Sequence, residues 1–224
     1  MNQRALAVQV MRFAALSEHL DESMAADYFS LARANGETES GLAFLRQRHE
    51  TLGRQSAGPT YNYVAALEAC DQHAVANQAL SESLTWRPDD GDAKLNAAQF
   101  YMGWGRRDEA KEMLAAAESI TNRTRWLNTA ARFAMIFEDM ATQETRYREA
   151  LALQPLNMNF VHALCDTIFD RQGSEAAIKF LSDYLQRFPE HYELRQIWIG
   201  LLRREDLSDR WVEELQRMLE LHPD

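Results

Sequence analysis

Glycine and proline are scarce in this 224-residue chain, at nine and five residues. That is too few for the many tight turns of an all-β protein. Cysteine is scarcer still. Cys70 and Cys165 lie far apart and cannot form a disulfide framework. Both are expected as reduced, mostly buried thiols, which favours a cytoplasmic location and leaves a periplasmic one open. Basic charge is in deficit: 24 Lys and Arg stand against 34 Asp and Glu, a net charge of −10. This argues against nucleic acid and anionic membrane as partners, since both reward basic surfaces. No apolar run approaches the roughly 18 residues of a membrane span. The opening "MNQRALAVQVMRFAALSEHL" is interrupted by Gln9 and Arg12 and is followed by no small-residue cleavage site. It reads as a helix, not a signal peptide.

Reaction chemistry is missing as well. There is no GxGxxG, no P-loop and no GxSxG. His19, His49, His73, His162, His191 and His222 are dispersed, with no pair three or four apart on a helix. The short helical metal motif is therefore absent. "GSEAA", residues 173–177, reads as a turn with Ser174 as a helix cap. No catalytic residue, cofactor or metal is expected.

What the chain does have is a period. Pro88, Pro155, Pro189 and Pro223 each follow a helix-like segment, as in "REALALQPLNMNF", residues 148–160. Proline removes a backbone donor and clashes with the preceding turn. The steps from 155 to 189 and from 189 to 223 are both 34 residues, and the step from 88 to 155 is 67. Asn122 sits at the midpoint of that longer step, where it is expected to end a helix. Small residues recur at Ala76, Ala110 and Ala177, large ones four later at Leu80, Leu114 and Leu181, then Ser83, Ala117 and Tyr184. These spacings share one helical face. A second helix lies upstream of each, and Gly36, Gly105 and Gly173 fall in the turns between. Each period is thus a helical hairpin, helix A then helix B.

The pattern resembles the tetratricopeptide repeat family. "LNAAQFYMGWGRRDEAKEMLAAAESI", residues 95–120, carries the family's residues at Ala98, Tyr101, Gly105, Ala110, Leu114 and Ala117. The resemblance implies an all-α, right-handed superhelical solenoid of antiparallel helix pairs. Its register gives six repeats, at 22–53, 54–88, 89–122, 123–155, 156–189 and 190–223. Arg48, Gln143 and Trp211 replace small residues in the first, fourth and sixth, and Phe29, Val64 and Ile199 are larger than the family prefers. Ala7, Met11 and Ala14 have helix B spacing, so residues 1–21 read as the second half of a preceding repeat. With no polar cap after "RWVEELQRMLEL", Trp211, Leu215 and Met218 are expected to be partly open. The chain is accordingly read as a piece of a longer protein, the alternative being ends that cap themselves or pair with a second copy.

The family holds partners against helix A. Carried across repeat by repeat, that face implies Arg33 in the first, Tyr61 and Glu68 in the second, and Gln99 and Met102 in the third. It implies Arg125, Asn128, Arg132 and Met135 in the fourth, His162, Asp166 and Phe169 in the fifth, and Gln196 and Arg203 in the sixth. The lysine and asparagine set with which some members clamp a chaperone carboxylate is absent; Tyr61, Ala65, Leu95 and Gln99 stand there. Arg125 and Arg132, flanking Asn128, either hold a carboxylate bidentately or are ordinary surface neighbours of Glu138 and Asp139. Trp86, Trp104 and Trp126 are either interface anchors or pack on repeat junctions. Arg106, Arg107, Lys111, Arg123 and Arg125, interleaved with Asp108, Glu109 and Glu112, read as a salt-bridged face. The expected function is a non-catalytic scaffold for a protein or peptide partner. The alternative is a recruitment or regulatory segment of a larger enzyme or export machine, such as a glycosyltransferase or an outer-membrane secretion protein. Self-association through the terminal repeats is a third possibility.

Overall fold

The computed structural model describes residues 3–17 and 21–221. Pro223, His19 and His222, singled out above, lie outside them. The described residues form thirteen α-helices and no strand. They divide into two compact units, residues 1–121 and 122–224.

The first unit contains α1 (Gln3–Ser17), α2 (Glu22–Ala34), α3 (Thr38–Leu52), α4 (Gly58–Glu68), α5 (His73–Trp86), α6 (Gly91–Gly103) and α7 (Arg107–Ala117). Each helix packs on the next, and α2 also packs on α4. The second unit contains α8 (Arg123–Phe137), α9 (Met140–Leu153), α10 (Met158–Gln172), α11 (Ser174–Arg187), α12 (Tyr192–Arg204) and α13 (Ser208–Leu221). Here too neighbours in sequence are neighbours in space, and α10 packs on α12. The even-numbered helices are helix A and the odd-numbered ones from α3 onward are helix B.

Packing follows the small-then-large rhythm. Ala76, Ala110 and Ala177 have no exposed surface, and Leu80, Leu114, Leu181, Ser83, Ala117 and Tyr184 are all buried. A methyl side chain lets the partner helix approach, and each leucine beside it contributes about 1.5–3 kcal/mol of apolar burial. At two of the positions where a large residue replaces a small one, Arg48 and Gln143, polar groups enter the core. Arg48 is buried and reaches Glu22 Oε1 of α2 at 2.5 Å. Asn62 of α4 donates to the Glu22 carbonyl at 2.7 Å and to its Oε2 at 3.0 Å. One carboxylate thus ties three helices. Gln143 is buried and Trp211 half-buried.

Two joints recur. Arg87, Gln154 and Phe188, each preceding a proline, share φ between −138° and −133° and ψ between 65° and 76°. Proline forbids its predecessor the helical region, so the helix must stop there. Asp90, Asn157 and His191 then donate their amides back to those residues' carbonyls, closing a four-residue turn with proline second. The same three residues cap α6, α10 and α12 through their side chains. The second joint lies inside the hairpin. Gly36, Gly105 and Gly173 have φ of 82°, 71° and 88°, as their turn position implies, and Asp71 and Asp206 take the same place at 57° and 55°.

Three local expectations are corrected. Asn122 begins a helix instead of ending one: its side chain accepts from the Thr124 and Arg125 amides at the start of α8. Ser174 is the first residue of α11, not its cap; the cap position is Gly173, with no side chain to offer. On α1 the buried residues are Val8 and Ala15, while Ala7 is exposed and Met11 and Ala14 are half-buried. A one-residue shift turns the packed face by about 100°. Near the other end Met218 is buried while Leu215 is exposed.

Candidate functional site

In the first unit the A helices α2 and α4 enclose a notch of about 590 Å³. Ala26, Ala65 and Ala69 keep it open, Phe29 lies along it, and Arg33 stands on its rim. The next pair of A helices is closed by aromatic contact. The Tyr61 ring lies 5.3 Å from Phe100, and Phe100 lies 6.1 Å from Trp104. Trp104 Nε1 donates to Glu68 Oε2 at 2.7 Å, and His73 Nδ1 lies 2.9 Å from Glu68 Oε1. That hydrogen bond and the Glu68 charge raise the His73 pKa. Arg106 lies over the rings of Tyr101 and Trp104 and donates to Asn77 at 2.6 Å. Trp104 is thereby folded onto the α4–α6 junction. Trp126, in the second unit, is buried, with Arg123 and Arg146 over its ring. Trp86 packs 4.9 Å from the buried His49, which stacks on Tyr63 and bonds Thr60 at 3.0 Å. Trp104 and Trp86 therefore serve repeat junctions, whereas the arginines over Trp126 belong to its own hairpin.

Of the expected first-unit positions, Arg33 and Tyr61 are exposed and Glu68 and Gln99 half-buried. Met102 is corrected: it is 4% exposed, because its turn of α6 faces the core beside Tyr101.

The second unit presents a different surface. α8 carries Arg123, Arg125 and Arg132 and no carboxylate. Arg125, Asn128, Arg132 and Met135 are all exposed, at intervals of three, four and three residues, which aligns them on one face. Between α10 and α12 lies a notch of about 420 Å³. His162 Nδ1 lies 3.0 Å from Asp166 Oδ2, and Arg204 reaches Asp166 Oδ1 at 3.5 Å. The Arg204 guanidinium stands 3.6 Å from the centre of the Phe169 ring. Gln196 lines the opposite wall. Arg203 is corrected here: its guanidinium lies over Trp211, and Arg204 takes the notch. On a helix of 3.6 residues per turn position 203 lies about 20° from Gln196 and position 204 about 80° to its other side, so the seven-residue step pointed to Arg203 while the notch is lined by Arg204.

Burial pushes the Cys165 thiol up to about 12, with the Asp166 charge adding to it, so it stays protonated and poorly nucleophilic at neutral pH. Among the described residues no group of three or more His, Cys, Asp or Glu is placed to hold a metal ion. No described helix is long and apolar enough to cross a membrane.

Hairpins of near-equal length, joined by repeated turns and stacked helix A against helix A, define a helical repeat protein. Residues 64–132 match the tetratricopeptide repeat family model. Over that segment the chain matches the family, and over nearly its whole length it shares the fold of solved tetratricopeptide repeat structures. A chain of the APC/C hetero-tetramer Cut9–Hcn1 is similar over 99% of this chain, at 13% identity and a TM-score of 0.56. This chain spans only 44% of that one. PilF of Pseudomonas aeruginosa is similar at 15% identity and a TM-score of 0.57, covering 90% of this chain and 92% of its own. A tetratricopeptide repeat protein of Parabacteroides merdae gives 11% identity, 98% and 87% coverage and a TM-score of 0.59. No curated protein matches the chain in sequence. Tetratricopeptide repeats generally mediate protein–protein interaction and are generally non-catalytic.

Proposed function

We propose that this chain is a non-catalytic scaffold that holds a protein or peptide partner against the exposed faces of its A helices. The observation that carries the reading is the α8 stripe of Arg125, Asn128, Arg132 and Met135. It is an exposed face with guanidinium, amide and thioether groups and no carboxylate on its own helix, in a chain of net charge −10. Guanidinium groups bind carboxylates or backbone carbonyls with fixed geometry, and methionine adapts to apolar side chains. His162, Asp166, Phe169 and Gln196 extend the proposed surface on α10 and α12, with Arg204 in place of Arg203. The first unit presents a surface of its own on α2, α4 and α6, with Arg33, Tyr61, Glu68 and Gln99. The test is affinity capture with the chain beside an Asn128→Ala/Arg132→Ala variant of unchanged helical circular dichroism. A partner identified with the wild type is expected to be lost or much weakened with the variant. Undiminished capture refutes the assignment to α8.

A second reading is favoured by one comparison. In the Cut9–Hcn1 hetero-tetramer the region similar to this chain is 44% of a longer chain. On that reading the chain is a recruitment or regulatory segment of a larger enzyme or export machine, and its partner is another part of the same assembly.

A further inference from the structure

The B helices of the second unit carry a groove of their own. It runs between α9 and α11 and has a volume of about 450 Å³. One wall is aliphatic: Leu151, Ala152 and Pro155. The other is the α11 ladder in which Phe180 lies 5.5 Å from Tyr184, itself 5.4 Å from Phe188. The Tyr184 hydroxyl already donates to the Pro155 carbonyl at 2.6 Å, so the wall offers an aromatic face and no spare hydroxyl proton. Beyond Pro155 the surface continues into a second hollow lined by Leu156 and Phe188. Leu153 and Leu156 are 53% and 50% exposed beside it.

The rim is charged. Arg148 and Arg187 line the groove against a single carboxylate, Asp183. Arg187 lies flat over Tyr184 and Phe188, at 5.3 and 5.4 Å, and has no ion-pair partner among the described residues. Arg148 shares the carboxylate of Glu144 with Arg171. The rim is thus short of negative charge in a protein that has an excess of it. We propose that this groove docks a short acidic and apolar segment of a protein partner. Its large apolar side chains seat between the aromatic ladder and the α9 wall, and its carboxylates meet Arg148 and Arg187. Apolar contact supplies the attraction and the guanidinium groups fix direction, since Arg and carboxylate bond in a planar fork. The surface lies on helices other than those proposed above and does not depend on that reading.

The test uses a fluorescein-labelled peptide, GELFEDLG, with two counterparts: serine for its three large apolar residues, and lysine for its three acidic ones. Anisotropy titration of the full chain is expected to give saturable binding of the first peptide and much weaker binding of both others. Ala152→Gln fills the groove with a longer neutral side chain, and Arg187→Glu reverses the rim. Both alter exposed residues, and helical circular dichroism reports that each still folds. Each is expected to weaken binding about tenfold or more, the equivalent of one charge-assisted or well-packed contact. Asn128→Ala/Arg132→Ala is expected to bind the peptide as wild type does. Equal binding of the serine peptide, or unchanged binding by Ala152→Gln and Arg187→Glu, overturns the proposal. So does loss of binding in the α8 variant, which moves the peptide to the A helices. Concentration-dependent shifts of the Leu153 and Leu156 methyl resonances without peptide assign the groove to a second copy and overturn it equally.

Discussion

Replacing Glu144 with alanine removes a carboxylate that is only 8% exposed yet holds two arginines and an amide. Arg148, one turn along α9, donates from Nε at 2.8 Å and lies 2.7 Å away through Nη2. Arg171, on α10, donates from Nε at 2.8 Å and lies 2.6 Å away through Nη2, and Gln172 donates at 2.9 Å. The guanidinium groups are 53% and 40% exposed and regain water when the carboxylate is lost, so each pair is discounted toward surface values. The Arg148 pair, within one helix, is worth about 0.5 kcal/mol. The Arg171 pair joins two helices with fork geometry around a buried acceptor and is worth about 1–2 kcal/mol. Glu144→Ala should therefore cost about 2–3 kcal/mol after adding the Gln172 bond, read as a lower urea midpoint by circular dichroism. A double-mutant cycle with Arg171→Ala should return a coupling of about 1–2 kcal/mol, larger than the cycle with Arg148→Ala. Coupling to Arg171 no greater than to Arg148 refutes the role assigned to Glu144 as an interhelical tie. The pH dependence has a definite sign. Burial raises the Glu144 pKa, but hydrogen bonds from Arg148 and Arg171 outweigh it and hold the group below its ordinary 4.5. The stabilisation is then fully present above the unfolded value and is lost as pH falls through the folded one. The gap between wild type and Glu144→Gln should close in that acidic window.

Other positions give further tests. Gly173 combines φ of 88° with ψ of 176°, a region closed to side chains, so Gly173→Ala should cost about 1–3 kcal/mol. Gly200 lies inside α12 with open space where a Cβ would stand, so Gly200→Ala should instead stabilise by about 0.5–1 kcal/mol. Thermal melts of the two variants should move in opposite directions. His49→Ala removes a ring stacked on Tyr63 and packed against Trp86, together with its bond to Thr60. It should destabilise by about 2–4 kcal/mol and alter tryptophan emission. With its pKa near 12 and its side chain buried, Cys165 should not react with an aromatic disulfide reagent in native protein at pH 8, whereas the half-buried Cys70 should. Native protein should release one equivalent of chromophore and denatured protein two.

The architecture was legible because its punctuation is local. A proline dictates the conformation of the residue before it, and Arg87, Gln154 and Phe188 comply identically whatever their side chains. Glycine likewise announces Gly36, Gly105 and Gly173. Asp71 and Asp206 do the same work less visibly, since aspartate only tolerates the left-handed region that glycine accepts freely. The polar ties could not be read. Nothing near Glu144 foretells Arg171, 27 residues away, and Arg48 looked like a defect until Glu22 and Asn62 closed around it. Arg125, Asn128, Arg132 and Met135 share one exposed face, whereas Met102 is buried and the Arg203 guanidinium turns to Trp211. Spacing gives the side of the helix, and the packing that decides what a long side chain touches is not local.

The corner at Gln154–Pro155–Leu156–Asn157 is the same object as the corner at Phe188–Pro189–Glu190–His191, and they stand 34 residues apart. The stretch between them begins and ends on interchangeable fittings. A second copy of residues 156–189 spliced in after Pro189 would meet, at each end, the geometry it already knows. Both joints survive such an insertion, while the original α10 comes to face a second α10 in place of α12.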